Sequence, residues 1–495
     1  MRQPPLTTLV VLVAVAGLVT VGSRAVPPAR TPAAVTAEVV GASAVCPDLR
    51  QAPGQLVTRV SVGAAPLPVG RTAVAGLLEA EQVTGSDGPR RLPVDTPGQV
   101  GVGLGTGVVA DGLVVTGTGS LAAGLEVEQI TRGETGRDRG LAGLRCSPPQ
   151  TDAWFVGGGT TVGQRTVLVL ANIDDTPALV DLRELSTTGQ PDPRPGTGLA
   201  VAPHTRLVVS LDTLAPDREL LAVHVTTRRG RVAAAVRADL GKGANPAGVD
   251  WVPQSAAPAR VVVVPGLPMG PGPRTLLVAN PGQDATTVKV QVTRADGQFV
   301  PQGLDTVDVP PLTTVRIALG GQAATSALAV RVTSEGAPVL AGAMVQDVQQ
   351  GGPVAELAFG GSAAPLSGPA LLTDVVLDRP TESTLLLSAL DRAASVLVSP
   401  IPVVGVTAPL PAPKTVQIAA GTTVALRVST FLPPGSSRQL ALEILPLEGS
   451  GPVWAARYLR ARGARGPLTT LLDLQGPALR VPRPLVLRDP QVGGR

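Results

Sequence analysis

A pattern that returns every 109 residues constrains this chain more than any other feature. Arg165-Thr-Val-Leu-Val-Leu-Ala-Asn172 recurs as Arg274-Thr-Leu-Leu-Val-Ala-Asn280 and again as Ser383-Thr-Leu-Leu-Leu-Ser-Ala389. Later segments keep the phase, as in Ala202-Pro-His-Thr-Arg-Leu-Val-Val209, Pro310-Pro-Leu-Thr-Thr-Val-Arg-Ile317 and Ala420-Gly-Thr-Thr-Val-Ala-Leu426. A connector repeats too, Ser255-Ala-Ala-Pro258 being answered by Ser362-Ala-Ala-Pro365. A chain that repeats at this interval builds one structural unit several times. Inside a unit the period is two: Val288, Val290 and Val292 share one face, Lys289 and Gln291 the other, which is the signature of a half-buried strand. Ala295-Asp296-Gly297 then supplies a hairpin turn.

Units of this length, with short alternating strands, predict an all-β chain of tandem β-sandwiches resembling immunoglobulin or fibronectin modules. The Cys–Trp–Cys signature of immunoglobulins is missing, so the likeness is to the architecture only. The expected organisation is a signal peptide or signal-anchor helix over 1–25, a flexible Pro/Ala linker over 26–45 and a divergent disulfide-closed β-domain over 46–148. Three sandwich repeats follow over 149–240, 241–348 and 349–462, and then a C-terminal extension over 463–495. In the divergent domain, 57–62 and 100–118 read as strands, and the alternating Gly101, Gly103, Gly105 and Gly107 suggest bulges or close strand packing.

Composition narrows the chemistry. Hydrophobic residues make up 44% but aromatics only 2%, so the cores must be built from Val, Leu, Ala and Ile, whose β-branched members favour strands. The 58 Gly and 50 Pro punctuate these apolar segments and do not displace them. A net charge of +4 and a basic pI near 9.6 invite a nucleic-acid reading. That reading fails, because single-stranded nucleic acids want aromatic platforms in a basic groove and the basic residues here are scattered. Only Arg228, Arg229 and Arg231 cluster, around Gly230, as at a solvated hairpin tip.

The N-terminus carries an address. After Arg2 no charge occurs through Ser23, and the dense apolar run from Leu9 to Val19 suits a signal-peptide core, while the whole window is just long enough to span a bilayer. Ser23-Arg24-Ala25 is a usable cleavage site. Either way the chain beyond Ala25 is expected outside the cytoplasm, anchored with its N-terminus inside or secreted after cleavage. In that compartment the two cysteines, Cys46 and Cys146, most simply pair with each other.

Catalytic motifs do not assemble. No G-x-G-x-x-G, phosphate loop, G-x-S-x-G or H-E-x-x-H is complete. His204 sits in a turn and His224 alternates with Val223 and Val225 in a strand, and neither is shared with the other repeats. Asp174 and Asp175 with Asn172 could offer oxygens to calcium, but a polar turn explains them better. No metal, cofactor or catalytic residue is expected. Trp154, Phe155 and Trp251 stand near unit junctions, where large aromatics plug seams or serve as interface anchors.

The N-terminal apolar segment, Arg139-Gly-Leu-Ala-Gly-Leu-Arg-Cys146 running into Trp154-Phe-Val-Gly-Gly158, Asp250-Trp-Val-Pro253 and the strand ending at Asn280 together resemble an uncharacterised actinobacterial envelope family, domain of unknown function 5719. The resemblance implies a secreted or single-span protein without assigned activity, and it carries no functional residues over. The expected function is therefore a non-enzymatic extracytoplasmic structural or interaction protein. Its expected partner is an envelope protein or cell-wall polymer, with the cytoplasmic membrane added if the N-terminal segment stays uncleaved. A cell-wall-modifying hydrolase with its site at a module seam is the alternative, and a binder using an exposed sheet edge a third reading.

Overall fold

The computed structural model describes residues 36–46, 56–68, 70–104, 112–191, 196–242, 245–323, 325–348, 355–376, 381–431, 439–476 and 480–482. The expected signal or anchor segment, 1–25, lies outside them. Among the described residues no helix is long and apolar enough to cross a membrane. Two compact units are present. In the smaller one, Thr36–Glu38 pairs antiparallel with Arg480–Pro482.

The larger unit, from Val39 to Leu479, is all β and consists of four sandwiches. Each is built on the same order of eight strands: one sheet runs first–sixth–third–fourth, the other fifth–second–seventh–eighth, with Gly297–Phe299 added beside the third strand of module 3 and Gln254–Ser255 beside the first strand of module 2. In the module after Cys146, for example, Asp152–Val156, Leu221–Arg229, Ala178–Ser186 and Leu199–Val201 form one sheet. Thr205–Ser210, Gln164–Asn172, Ala233–Lys242 and Asn245–Val252 form the other. Consecutive strands thus change sheet except at two hairpins, third to fourth and seventh to eighth. The residues flanked by the two cysteines follow this order as well, with Gly41–Cys46, Leu113–Thr118, Leu78–Gln82 and Arg90–Arg91 facing Gln99–Leu104, Leu56–Ala64, Leu125–Gly133 and Gly140–Arg145. The divergent domain is a fourth copy whose sequence has lost the repeat.

Three expectations change here. Residues 41–45, expected within a linker, form the first strand of module 1, paired with Leu113–Thr118. The run 100–118 is two strands on opposite sheets; Gly103, at φ 78°, is the extra residue where Val60 faces Leu104 and Ser61 faces Val102, a bulge. The expected boundaries after 240, 348 and 462 fall within or at the end of the seventh strand, ahead of the eighth. Asn245–Val252, Ala355–Gly361 and Gly466–Leu474 hairpin back onto the strands before them and close modules 2, 3 and 4.

Each sandwich encloses an aliphatic core, such as Val288, Val290, Val292, Val330 and Val332 in module 3. The modules then pack in a cycle, the outer face of each first–sixth–third sheet covering the second–seventh sheet of the next module. Val45 and Val114 of module 1 meet Ala171 and Ala233 of module 2. Trp154, Val156 and Leu185 meet Leu277, Ala279 and Leu340 of module 3, and Val263 and Ala329 meet Leu390 and Trp454 of module 4. Leu371, Ile401 and Ala441 of module 4 finally meet Ala65 and Val100 of module 1. The fourth seam returns to the first module, so the sandwiches form a closed ring with the eighth strands together at its centre.

Candidate functional site

The centre of the ring is held by one carboxylate. Asp250, on the eighth strand of module 2, is fully buried. Its Oδ1 accepts from the Gly143 N–H at 3.1 Å, the Trp251 N–H at 2.9 Å and the Thr470 hydroxyl at 2.9 Å, and its Oδ2 accepts from the Phe359 N–H at 3.1 Å. Gly143, Phe359 and Thr470 lie on the eighth strands of modules 1, 3 and 4, so one side chain ties all four modules. Close approach makes this possible. A Cβ on Gly143 would sit 2.8 Å from the Thr470 hydroxyl, and one on Gly248, at φ 120°, 2.4 Å from the Leu357 nitrogen. Burial pushes the Asp250 pKa well above the ordinary carboxylate range, while the four donors pull the other way.

A second buried clamp lies beside it. Arg139, immediately before the eighth strand of module 1, donates to Glu356 of module 3 at 3.1 Å and to the Arg465 and Pro467 carbonyls of module 4 at 3.2 and 3.0 Å. Burial raises the Glu356 pKa to about 8, opposed by Arg139. Between modules 4 and 1, buried Arg457 donates to Glu128 at 2.5 Å, to the Asp374 carbonyl and to the Ser383 hydroxyl. Ser61 and Thr373 bond across the same seam at 2.7 Å.

Between modules 3 and 4 the seam opens into a cleft. Arg274, which begins the repeat motif in module 3, is buried. It donates to the carbonyls of Pro268, Pro271, Gly272 and Gln346 and, at 2.8 Å, to Asp347. It thereby shapes the Pro268–Gly272 loop into one wall. The Tyr458 hydroxyl donates to the other oxygen of Asp347 at 2.5 Å, and burial followed by Asp347 raises the Tyr458 pKa. A cavity of about 190 Å³ above this floor is lined by Met269, Ala327, Leu386 and Ala425. It shares Pro271, Glu382 and Arg460 with an outer cavity of about 760 Å³ lined also by Arg462, Gly463 and Pro467. Glu382 is paired with Arg427 at 2.8 Å.

The residues singled out in the sequence are dispersed around the ring. Cys46 and Cys146 form a disulfide, their Cα atoms 4.7 Å apart, joining the first strand of module 1 to the end of its eighth. Trp154 is buried in the seam between modules 2 and 3, Phe155 in the core of module 2, and Trp251 against Ala142 and Leu144 of module 1. None of the three is exposed. His224 stacks on Trp154, with ring centroids 3.7 Å apart, and bonds Asp152 at 2.8 Å; burial lowers its pKa. His204 pairs with Asp175, and Asp174 with Arg231. The repeated asparagines are turn formers: Asn172 Nδ2 donates to the Thr176 and Val201 carbonyls, Asn280 Nδ2 to those of Asp284 and Val309. Among the described residues no group of three or more His, Cys, Asp or Glu is placed to hold a metal ion. Asp250, Arg139 and Glu356 escaped notice as a site. Their signal was the charged residues standing in the Arg139–Cys146 and Asp250–Pro253 motifs amid glycine and aliphatic neighbours.

No curated protein and no solved structure shows detectable similarity to the chain. A model of one family matches residues 104–429, most of the ring. The motifs that meet at the axis through Arg139 and Asp250 lie inside that span, and the chain belongs to this family of unknown function, DUF5719.

Proposed function

We propose that the chain is a non-enzymatic structural or interaction protein of the actinobacterial cell envelope, held outside the cytoplasm. What supports this reading most is where the buried charge goes. Asp250, Arg139, Glu356, Arg457 and Glu128 are each spent on bonds that fasten one module to another. Such a ring presents a fixed surface, and fixed surfaces suit recognition because little ordering is lost on binding. The apolar N-terminal run, the Cys46–Cys146 disulfide and the family resemblance support the compartment.

The test is crosslinking and pull-down of the full chain from isolated envelopes, with fractionation and protease shaving of intact cells. Saturable capture of one wall polymer or envelope protein, and cleavage of the ring from outside, are the expected results. An absence of saturable partners together with a wholly cytoplasmic chain would overturn the reading. The cleft between modules 3 and 4 is where a wall-modifying activity would sit, since Glu382 and Asp347 both line it. Each already binds a guanidinium, and Glu382→Gln would abolish such an activity if Glu382 were its acid or base.

A further inference from the structure

Three buried arginines of the ring are saturated: Arg139, Arg274 and Arg457 each meet a carboxylate and several other oxygens. Arg460 and Arg462 differ. Both line the outer cavity between modules 3 and 4, both are exposed, and among the described residues neither guanidinium has a carboxylate within ion-pair distance. Glu382 is the direct cross-strand neighbour of Arg460, yet its carboxylate is taken by Arg427. Arg460 and Arg462 therefore bring two guanidiniums to the mouth beyond those held in the Glu382–Arg427 pair and in the Arg132–Glu134 pair, which bonds the Arg462 carbonyl and the Ala464 N–H at its rim. Asp347 adds no free charge, because Arg274 and Tyr458 occupy both its oxygens.

Inward from this mouth the lining turns more apolar. The inner cavity is walled by Pro268, Met269, Ala327, Leu386 and Ala425, with the Glu382–Arg427 pair, Thr384 and Tyr458 also in its lining, and Met269 keeps 55% of its surface open. Because the two cavities share Pro271, Glu382 and Arg460, a charged mouth leads straight into an apolar slot. Guanidinium forks match carboxylate and phosphate oxygens in a way no other side chain does, and an apolar slot next to them selects for a ligand with an aliphatic arm.

We propose that the cleft between modules 3 and 4 binds an amphiphilic anion, its phosphate or carboxylate head on Arg460 and Arg462 and its aliphatic arm in the slot under Met269. This goes beyond the interaction role above and does not depend on it, since the binding would stand wherever the protein resides. A membrane lipid and a free alkyl phosphate share this chemistry.

The test is calorimetric titration of the full chain with decyl phosphate below its micellar range, with inorganic phosphate and with decyltrimethylammonium. Decyl phosphate is expected to bind at least about tenfold more tightly than inorganic phosphate, and the cation not at all. Arg460→Ala with Arg462→Ala should cost a further factor of about ten or more, Arg460→Lys less, and Ala425→Glu should abolish binding by charging the slot. The thermal transition of each variant should match the parent's, since among the described residues these side chains make no hydrogen bond or ion pair. Binding unchanged in the double variant, or equal affinity for inorganic and decyl phosphate, would overturn the assignment. Flotation with phosphatidylglycerol vesicles that is lost in the double variant identifies a lipid source, and decyl phosphate binding without flotation identifies a soluble one.

Discussion

Asp250 occupies a position where the balance of burial and hydrogen bonding decides whether an anion can exist at all. Burial favours the neutral acid, yet its oxygens face three N–H groups and a hydroxyl. Four donors are matched by a carboxylate and mismatched by a carboxyl proton. Asp250→Asn keeps the three acceptor contacts of Oδ1 but turns an amide N–H toward that of Phe359. It should cost about 1–3 kcal/mol, and Asp250→Ala distinctly more because every donor is orphaned. Urea titration of both variants checks the ranking, and an Asn variant as stable as the parent would mean the group is neutral in the fold. Glu184 is the opposite case. It is fully buried on the third strand of module 2, and among the described residues neither of its carboxylate oxygens has a partner. Burial raises its pKa, so the folded state holds the proton more tightly than the unfolded one. The stability this group leaves intact is full below the ordinary glutamate range and is lost as pH rises through the raised value. Glu184→Gln should be near neutral in acid and stabilising by about 1–3 kcal/mol at pH 8; a variant advantage independent of pH would refute the assignment.

At the scale of elements, the repeat motif encodes joints as well as strands. The first threonine of each Thr-containing turn, Thr205, Thr313 and Thr422, returns its hydroxyl to the carbonyl three residues back at 2.8 Å. The next residue reaches across a seam: Thr314 donates to the Leu185 carbonyl of module 2 at 3.1 Å, and Thr423 to the Thr293 carbonyl of module 3 at 2.8 Å. Module 2 carries Arg206 at the equivalent position. Thr314→Val and Thr423→Val should each cost about 1 kcal/mol. Because they serve different seams, their effects should add within about 0.5 kcal/mol in a double variant. Strong coupling would show that the seams respond as one. The eighth strands explain the misplaced boundaries. Ala355–Gly361 and Gly466–Leu474 are buried along nearly their whole described length, so the period-two alternation that marks a half-buried strand is erased.

For the whole molecule, closure means that module 1 supports two seams, with module 2 through Val45 and Val114 and with module 4 through Ala65 and Val100. The disulfide ties its first strand to its last. A loop of this size should lose about 4–5 kcal/mol when cut. Cys46→Ala with Cys146→Ala should therefore lower the main thermal transition of the ring and not merely add a small early one. A lone early transition, with the rest unchanged, would mean that modules 2 to 4 stand without closure. Glu128, Asp374 and Asp473 around that seam all have pKa values raised by burial, so this interface in particular should loosen as pH rises above the ordinary carboxylate range.

The sequence by itself determined that the chain is all β, repeats at 109 residues and is joined at Cys46 and Cys146. Those properties are written in alternation, spacing and residue type, which are local. It could not reveal that residues 41–146 are a fourth copy, because a module that packs on two unlike neighbours can exchange its surface residues and keep only its strand order. Nor could it identify Asp250 as the pin of the axis, since Gly143, Phe359 and Thr470 become its neighbours only once four hairpins from distant parts of the chain close around one point. The repeat was legible because it is periodic along the chain. The ring was decided by tertiary packing, because its contacts are periodic only in space.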